Sequence, residues 1–416
     1  MRYFALLALA GAAVAAEKVE ILRDEYGVPH IFAATARGAA YASGYLQASE
    51  RTGQLLGHLR GAKPAAVSQT LRPILDAFCA GIQAAGQHAD PEMIAGYAAS
   101  FAPRGNTIVI AAERTASHAV IAIIDPLENF ADASYQMAIS TGDGYMWVGA
   151  APVGLPFPLT GHGFDSALGP ADVATGDGVL DRTWAMQTGH HALSPSGSAA
   201  GQAAQMTRAL LDFNGSITIY DALRIAVSSE VYHADAWQKR IAAADPDSAF
   251  TRMLTGWSRR ADFDSTPALA FYLFKTALGS DAPAVEPPDS LSVDRVRAAL
   301  RKAREQLELQ FRFQATFGTL FQVAGKPASG GAVTEAGMAT PRAIEYEKRE
   351  SVMRGVRGPA ATQIVEFSRP IPKSYMLIPA AGSAAKFARG EVQPTYFGDR
   401  KELEKHLKSR QTLLAP

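Results

Sequence analysis

The chain has 416 residues, of which 48% are hydrophobic and 19% charged, with 40 basic and 40 acidic side chains. This length suggests one large or two ordinary domains and supplies a substantial hydrophobic core. The balanced charge gives no electrostatic reason to expect nucleic acid or an acidic membrane surface as a partner.

The N-terminus, MRYFALLALAGAAVAAEKVE, has one arginine, an apolar stretch over residues 4–14 and small residues up to Ala16. This pattern is typical of a secretory signal peptide over residues 1–16, cleaved near Ala15 or Ala16. The stretch is too short to span a bilayer permanently, and the alternative is a buried N-terminal helix. We expect the mature chain, residues 17–416, to be a soluble periplasmic or secreted protein.

The next segments alternate between strand and helix patterns. VEILRDEYGVPHIFA, residues 19–33, predicts two strands joined by a turn at Tyr26-Gly27. Apolar residues at helical spacing predict helices over residues 38–60 and 71–86. Cys79 lies on the apolar face of the second helical segment, and a lone cysteine cannot form an internal disulfide. It is therefore interpreted as a core residue rather than a nucleophile.

A strand pair is predicted in PRGNTIVIAAERTASHAVIAIID, residues 103–125. Its two apolar runs are separated by a turn at Arg114-Thr115-Ala116, and short strands are expected from Ile108 to about Val153. The segment PVGLPFPLTGHG, residues 152–163, is dense in proline and glycine, which predicts a loop or a sheet edge.

The second half of the chain is predicted to be helical from about 203 to 312, with strands returning at 364–368 and 375–379. Residues 399–410, DRKELEKHLKSR, predict a short polar helix. Strands on both sides of a long helical insert indicate a layered α/β protein with a non-contiguous sheet. The predicted core residues are Val28, Ile31, Phe78, Ile82, Val109, Ile123, Val365 and Leu377.

Several motifs occur in an order that resembles the penicillin acylase family of N-terminal-nucleophile hydrolases. RDEYGVPHIFA followed by GYLQASERTGQLL is similar to the family's opening motif, and RTASHAVIAIIDP to the run after its nucleophile. APVGLPFPLTGHG is similar to its Gly-Leu-Pro…Gly-His-Asn loop, and RRADFDSTPALAFYLF and IVEFSRPIPKSYMLIPAAGSA to two later landmarks. The resemblance implies an α+β fold, an αββα sandwich, with residues 17–104 equivalent to the small chain and 105–416 to the large chain.

The family's mechanism depends on a serine that becomes the first residue of a new chain, whose own α-amine then acts as general base. Counting back without gaps from Arg114-Thr115-Ala116, the serine position falls on Gly105, with Asn106 after it as in the family. The resemblance also implies Thr175 as a backbone donor of the oxyanion hole. Because glycine has no hydroxyl, we predict neither self-cleavage nor acyl transfer at this position.

Other departures from the family pattern point the same way. Leu127 stands where many relatives have the histidine of Asp-Pro-His, and Asp177 and Asp181 are out of register for the family's calcium site. The strand that carries the family's oxyanion asparagine is not recognisable between Trp184 and Met206. No metal or other cofactor is therefore expected.

Two further kinds of catalytic residue are disfavoured by their positions. Ser100 and Thr107 flank Gly105 as substitute nucleophiles, but neither lies where the family places its N-terminal amine. Asp24 and Glu25 are adjacent on a predicted strand and would point to opposite faces, which argues against a carboxylate pair.

The histidines have ordinary structural interpretations. His190 and His191 form a loop pair without metal-ligand spacing and are interpreted as solvated. His162 is expected to make a backbone hydrogen bond, and His30 to be a satisfied buried or half-buried side chain.

The resemblance implies an amidohydrolase acting on acyl amides, such as beta-lactam side chains, or on acyl-homoserine lactones. Arg114, Trp147 and Phe157 are expected to line the cleft for the acyl group of such a small ligand. Three functions compete: an amidohydrolase of unusual mechanism, a catalytically inert paralogue that binds an acylated amide or lactone, and a subunit that assists an active relative.

Overall fold

The computed structural model describes residues 16–101, 105–170, 174–175, 178–179, 183–187, 216–311, 314–379 and 384–416. The predicted signal peptide therefore lies, except for Ala16, outside the described residues.

The strands are β1 (Glu17–Asp24), β2 (Pro29–Ala33), β3 (Gly105–Ile110), β4 (Ile121–Asn129), β5 (Tyr135–Thr141), β6 (Met146–Ala151), β7 (Thr160–His162), β8 (Ser166–Pro170), β9 (Ala174–Thr175), β10 (Gly178–Val179), β11 (Thr183–Gln187), β12 (Phe321–Val323), β13 (Lys326–Pro327), β14 (Ala332–Val333), β15 (Met338–Ala339), β16 (Glu345–Arg349), β17 (Val352–Pro359), β18 (Gln363–Glu366), β19 (Lys373–Met376), β20 (Gln393–Pro394) and β21 (Leu407–Ala415). The helices are α1 (Ala36–Glu50), α2 (Thr52–Gly61), α3 (Arg72–Ala84), α4 (Pro91–Ser100), α5 (Ile219–Ala226), α6 (Ala234–Ala244), α7 (Ala249–Thr255), α8 (Thr266–Ala277), α9 (Val293–Phe311), α10 (Phe317–Leu320), α11 (Ala384–Arg389) and α12 (Arg400–Lys405).

Two large sheets dominate the described residues. The first sheet has the strand order β11-β8-β7-β6-β5-β2-β1-β21. The second has the order β13-β12-β17-β4-β18-β19-β20, with β16 against β17 and β3 against β4. Two separate two-stranded ladders, β9-β10 and β14-β15, complete the strand pairing of the described residues.

Side-chain alternation along β4 shows that the second sheet is covered on both faces. Ile121 and Ile123 pack in a cluster with residues of α5. Ala122 and Ile124 point the other way and pack against Ala167 of the first sheet. Because successive side chains of a strand point to opposite faces, β4 lies between a helix and the first sheet.

The first sheet is likewise covered by helices on its outer face. Met137 and Ile139 of β5 pack in one cluster with Phe78 of α3, whereas Ala138 packs against Met376 of the second sheet. The order of layers is therefore helices, sheet, sheet, helix. This confirms the predicted α+β fold and αββα arrangement.

The helices α6 to α10 pack around a second apolar core. Trp237, Phe271, Phe274 and Phe317 are among its most buried side chains. Within the predicted helical insert, α5 differs from the later helices because it packs on the second sheet rather than in this core.

Lys275 of α8 is an unusual member of the second core because its side chain is fully buried. Its ammonium lies 3.6 Å from the centroid of the Trp237 ring and donates to the carbonyl of Ala284 at 2.6 Å. Burial lowers the pKa of Lys275 to about 7. A lysine at this depth favours the neutral amine because desolvation penalises the charged form.

We expect the free energy of unfolding to rise with pH more steeply in the natural chain than in a Lys275→Met variant. Between the folded pKa of about 7 and the ordinary value of 10.5, the unfolded chain binds more protons at Lys275, so stability rises through this window. The difference in slope approaches about 1.4 kcal/mol per pH unit. Urea unfolding at several pH values measures it, with exposed Lys239→Met as control. Parallel slopes for the natural chain and Lys275→Met would contradict the expectation.

Most predicted elements and all eight predicted core residues are confirmed. Those eight side chains are each at most 9% exposed. Cys79 is only half-buried, although it packs against the core of the first sheet and its helices. Burial raises the pKa of its thiol to about 12, which suits a structural rather than a nucleophilic cysteine.

Two local predictions are wrong in part. The predicted helix over 399–410 ends at Lys405, and Leu407–Ala415 pair with β1 as the edge strand β21. The predicted loop or edge at 152–163 contains β7, which lies between β6 and β8 in the interior of the first sheet. Within the described part of the chain, none of the helices combines the length and apolar character needed to cross a bilayer.

Candidate functional site

Gly105 is the first residue of β3, is buried, and pairs with Pro126 of β4. Its φ is +140°, a backbone conformation that side-chain-bearing residues rarely adopt. A Cβ placed on this backbone would lie 2.1 Å from the carbonyl oxygen of Asp125 and 2.9 Å from the Cα of Pro126. Both contacts are with backbone atoms, so the position is built for glycine and has no room for a serine.

The strand that Gly105 begins flanks the centre of the second sheet. Strand β4 has β3 on one side and β18 on the other, since Ile123 pairs with both Ile108 and Ile364. Among the described strands, β3 pairs with β4 alone. The described part of this segment, residues 105–125, therefore contributes one central strand and one flanking strand to the sandwich.

Asp125 links β4, beside Gly105, to Thr362 in the segment before β18. Its carboxylate is buried and accepts a hydrogen bond of 2.5 Å from the hydroxyl of Thr362. Burial raises the pKa of Asp125 to about 7, opposed by the Thr362 hydrogen bond and the positive charge of Arg342. In the same run, Leu127 pairs with Pro359 of β17. A leucine supplies no titratable group at the position of the family's histidine.

Arg342 is the buried cation whose positive charge lowers the pKa of Asp125 and so opposes the effect of burial. Its guanidinium donates to the carbonyls of Ser329 at 2.9 Å, of Ala388 at 2.6 Å, and of Phe387. Burial lowers its pKa to about 10, which leaves the side chain charged at neutral pH. Arg342 thereby joins the C-terminal end of α11 to the loop after β13, close to the strand that confines Gly105.

The two candidate substitute nucleophiles are committed to backbone hydrogen bonds. The Thr107 hydroxyl is buried and donates to the carbonyl of Pro170 at 2.6 Å. The Ser100 hydroxyl donates to the carbonyl of Tyr97 at 2.8 Å at the end of α4. A carbonyl does not take up the proton of a nucleophile, so the hydrogen bonds found among the described residues supply neither hydroxyl with an activating base.

Two of the predicted binding residues lie on the outer side of the first sheet. Met146 and Val148 face the second sheet, so strand alternation puts Trp147, between them, on the opposite face. The ring of Phe157 packs against Tyr145 with centroids 5.0 Å apart, next to the helical layer. The structure does not bring Trp147 or Phe157 together with Gly105.

The third predicted binding residue, Arg114, lies beyond the other end of β3. It is in a short 3-10 turn, Ala112–Arg114, and its carbonyl accepts a hydrogen bond from the amide of Ile217. The length of β3 alone separates it from Gly105 by roughly 17 Å. The roles of Arg114, Trp147 and Phe157 in binding stay predictions.

The implied oxyanion residues are described only through their strand pairing. Asn106 pairs with Asp125 in the β3-β4 ladder. Thr175 pairs with Gly178 in the separate β9-β10 ladder. Their roles stay predictions.

The predicted interpretations of His162 and His30 agree with the structure. His162 is buried, and its Nδ1–H donates to the carbonyl of Gly163 at 2.8 Å. Burial lowers the pKa of His162 to about 4, so the ring is neutral at pH 7. His30 is buried, and its Nε2 lies 3.3 Å from the carboxylate of Asp24. Glu25, which follows Asp24 in the chain, is exposed.

No group of three or more histidine, cysteine, aspartate or glutamate side chains is placed to hold a metal ion in the part of the chain that is described. His190, His191, Asp177 and Asp181 lie outside the described residues. The expected absence of calcium stays a prediction.

Sequence reasoning missed Thr362 and Arg342, the partners that surround Asp125. Both are more than 200 positions along the chain from Asp125 and come from segments without a recognisable motif. The only signal in the sequence is Asp125 itself, an acidic residue that directly follows a run of buried strand residues.

The fold and the Gly105 region define an αββα sandwich in which the first residue of β3 carries no nucleophile. In a comparison with known families, residues 18–63 match the model of the penicillin amidase family. The matched residues span β1, β2, α1 and α2 and end before Gly105. No curated protein matches the chain.

Proposed function

We propose that this chain is a penicillin amidase-family protein that retains the αββα sandwich but does not hydrolyse amides. Its role is then to bind a small acylated amide or lactone without cleaving it, outside the cytoplasm. The observation that carries the proposal is the backbone at Gly105, which confines the nucleophile position against the Asp125 carbonyl.

Three findings support membership in the family. Residues 18–63 match its model, the layers have the predicted order, and the remaining motifs follow along the chain in the family's sequence. The match alone covers a small part of the chain, so membership is inferred from the three together.

The loss of catalysis follows from what the reaction needs. A nucleophile, its base and oxyanion donors must act as a unit, and deleting the nucleophile alone costs on the order of a millionfold in rate. Gly105 supplies no hydroxyl, and the hydroxyls of Thr107 and Ser100 donate to carbonyls.

The proposal predicts one uncut chain and no turnover. The full sequence has a mass of 44.1 kDa, and a denaturing gel of the exported protein should show a single band slightly below it. Acyl amides and acyl lactones incubated at high protein concentration should be recovered intact while raising the melting temperature. A Thr107→Ala variant is the matched control.

Three outcomes would contradict the proposal. Fragments split near residue 104 would show that self-cleavage occurs. Saturable turnover that disappears in Thr107→Ala would identify Thr107 as a substitute nucleophile. Intact substrates without any thermal shift would remove the binding role and leave a supporting subunit as the remaining alternative.

A further inference from the structure

A cavity of about 140 Å³ lies between the inner face of the first sheet and the loop that joins β20 to α12. His30 of β2 lines it and pairs with Ala138 of β5, which packs against the second sheet. Met146 of β6 and Phe397 of the loop form other parts of its wall. The cavity includes no residue of the β3–β4 pair, so an inference about it is independent of the proposed function.

The imidazole of His30 has one nitrogen bound to a carboxylate and the other without a partner. Its Nε2 lies 3.3 Å from Oδ2 of Asp24, whose Oδ1 accepts from the amides of Tyr26 and Val28. Because a carboxylate only accepts, Nε2 carries the proton, and the neutral ring has its lone pair on Nδ1. His30 is only 3% exposed, yet Nδ1 makes no hydrogen bond within the described residues and is not shut off from solvent. The wall of the cavity therefore contains an acceptor that a ligand can use.

Ser140 supplies a second polar group to the same cavity. It lies two residues beyond Ala138 on β5, so its side chain is on the same face as His30. Strand spacing and rise put the Cα atoms of His30 and Ser140 roughly 8 Å apart. The Ser140 hydroxyl also has no hydrogen-bond partner in the part of the chain that is described. A ligand of a few atoms can therefore contact both groups.

The charged groups at the cavity are already paired, which favours an uncharged ligand. The guanidinium of Arg400 donates to Glu20 at 2.6 Å and to Glu404 at 3.1 Å, and it lies 4.6 Å from the centroid of the Phe32 ring. The carboxylate of Asp24 is occupied by His30 and two backbone amides. An ion entering the cavity would lose its hydration without gaining an unpaired counter-charge.

The size and the walls of the cavity suit a single aromatic ring. Its volume is close to the roughly 150 Å³ of an engineered protein cavity that binds benzene. Phe32, Met146 and Phe397 provide the ring and thioether surfaces with which aromatic ligands pack. An open surface depression shares Phe32 and Ser140 with the cavity and gives a ligand a way in.

We propose that this cavity binds a neutral phenol with a single ring. The phenol hydroxyl donates to Nδ1 of His30 and accepts from the hydroxyl of Ser140, while the ring packs against Phe32 and Phe397. A ligand of the same size without a hydroxyl keeps the ring contacts but leaves Nδ1 of His30 unpaired.

The test uses phenol as probe, with toluene as the counterpart that has no hydroxyl and anisole as the counterpart that cannot donate. Calorimetric titration of the full chain should show saturable binding of phenol with a Kd on the order of 1 mM. We expect toluene and anisole to bind at least about fivefold more weakly, because each loses the hydrogen bond to His30. In ¹⁵N spectra of the histidine-labelled chain, the Nδ1 resonance of His30 should move with phenol but not with toluene.

Variants decide whether the cavity is the site. His30→Phe should weaken phenol binding by about fivefold and Ser140→Ala by about threefold, with little change for toluene. Ser409→Ala, the same substitution at an exposed position of β21, should leave phenol binding unchanged. Circular dichroism confirms that each variant is folded, and Ser140→Ala with the ¹⁵N spectra provides an independent test if His30→Phe is unfolded. Equal binding of phenol and toluene, no saturable binding of phenol, a His30 resonance that phenol does not move, or phenol binding unaffected by the folded variants would overturn the proposal.

Discussion

Replacing Gly105 by serine is expected to restore neither self-cleavage nor amide hydrolysis, and to lower the free energy of unfolding by roughly 2–5 kcal/mol. The loss has two sources. A non-glycine residue is strained at a φ of +140°, and its Cβ would lie 2.1 Å from the Asp125 carbonyl oxygen. Either β3 or β4 must move to admit the side chain, so the hydroxyl cannot take up the family's position in the natural backbone.

Two control variants separate these sources. Gly105→Ala should lose as much stability as Gly105→Ser, because the first carbon of the side chain causes the clash. Gly27→Ser keeps only the backbone strain of about 1–3 kcal/mol, because Gly27 has a φ of +90° and a Cβ there would meet no atom within 4 Å. Urea unfolding gives the free energies, and a denaturing gel with an acyl-amide assay gives the chemistry. A stable, self-cleaving and active Gly105→Ser protein would show that only the hydroxyl was missing.

The sequence predicts the layers well because each helix or strand is indicated by the spacing of apolar residues within its own segment. Alternating and helical spacing of apolar residues identifies which side chains are buried, and Ile31, Phe78, Ile123 and Val365 are buried as predicted. The exposed edge strand β21 lacks this signal. Because most of its side chains face solvent, its polar sequence resembles a continuation of the α12 helix.

The Gly105 region could be located from sequence but not understood from it. Counting from Arg114 gives the position, but the +140° backbone and the confining carbonyl of Asp125 depend on how β3 and β4 pair. The positions of Trp147 and Phe157 likewise could not be predicted from the sequence alone. Their aromatic character suggests a pocket, whereas the face of the sheet on which they lie depends on the register of β6 with its neighbours.

The buried charges beside this region depend on contacts between distant segments. Thr362 donates to a carboxylate 237 positions away, and Arg342 donates to carbonyls up to 46 positions away. Local patterns carry no information about such pairs, so the network appears only once the chain is folded.

Arg342→Met is expected to lower the free energy of unfolding by about 3–5 kcal/mol at pH 8 and by less at pH 5. The substitution removes the donor to three buried carbonyls at any pH, and at high pH it also leaves the Asp125 carboxylate without its cation. The folded pKa of Asp125, about 7, lies above its ordinary value of 3.8. The stabilising effect of the bound proton is therefore complete below pH 3.8 and is lost as the pH rises through about 7.

The pH dependence distinguishes the charge effect from simple loss of packing. In an Asp125→Asn background the cost of Arg342→Met should be the same at both pH values, because no carboxylate remains to be neutralised. Arg354→Met, an exposed arginine of neighbouring β17, should change stability by less than about 0.5 kcal/mol. Urea unfolding of the three single variants and of the Asp125→Asn/Arg342→Met double variant at each pH measures these changes in the free energy of unfolding. A cost of Arg342→Met that is equal at pH 5 and pH 8 with Asp125 present would mean that Arg342 acts only through its backbone hydrogen bonds.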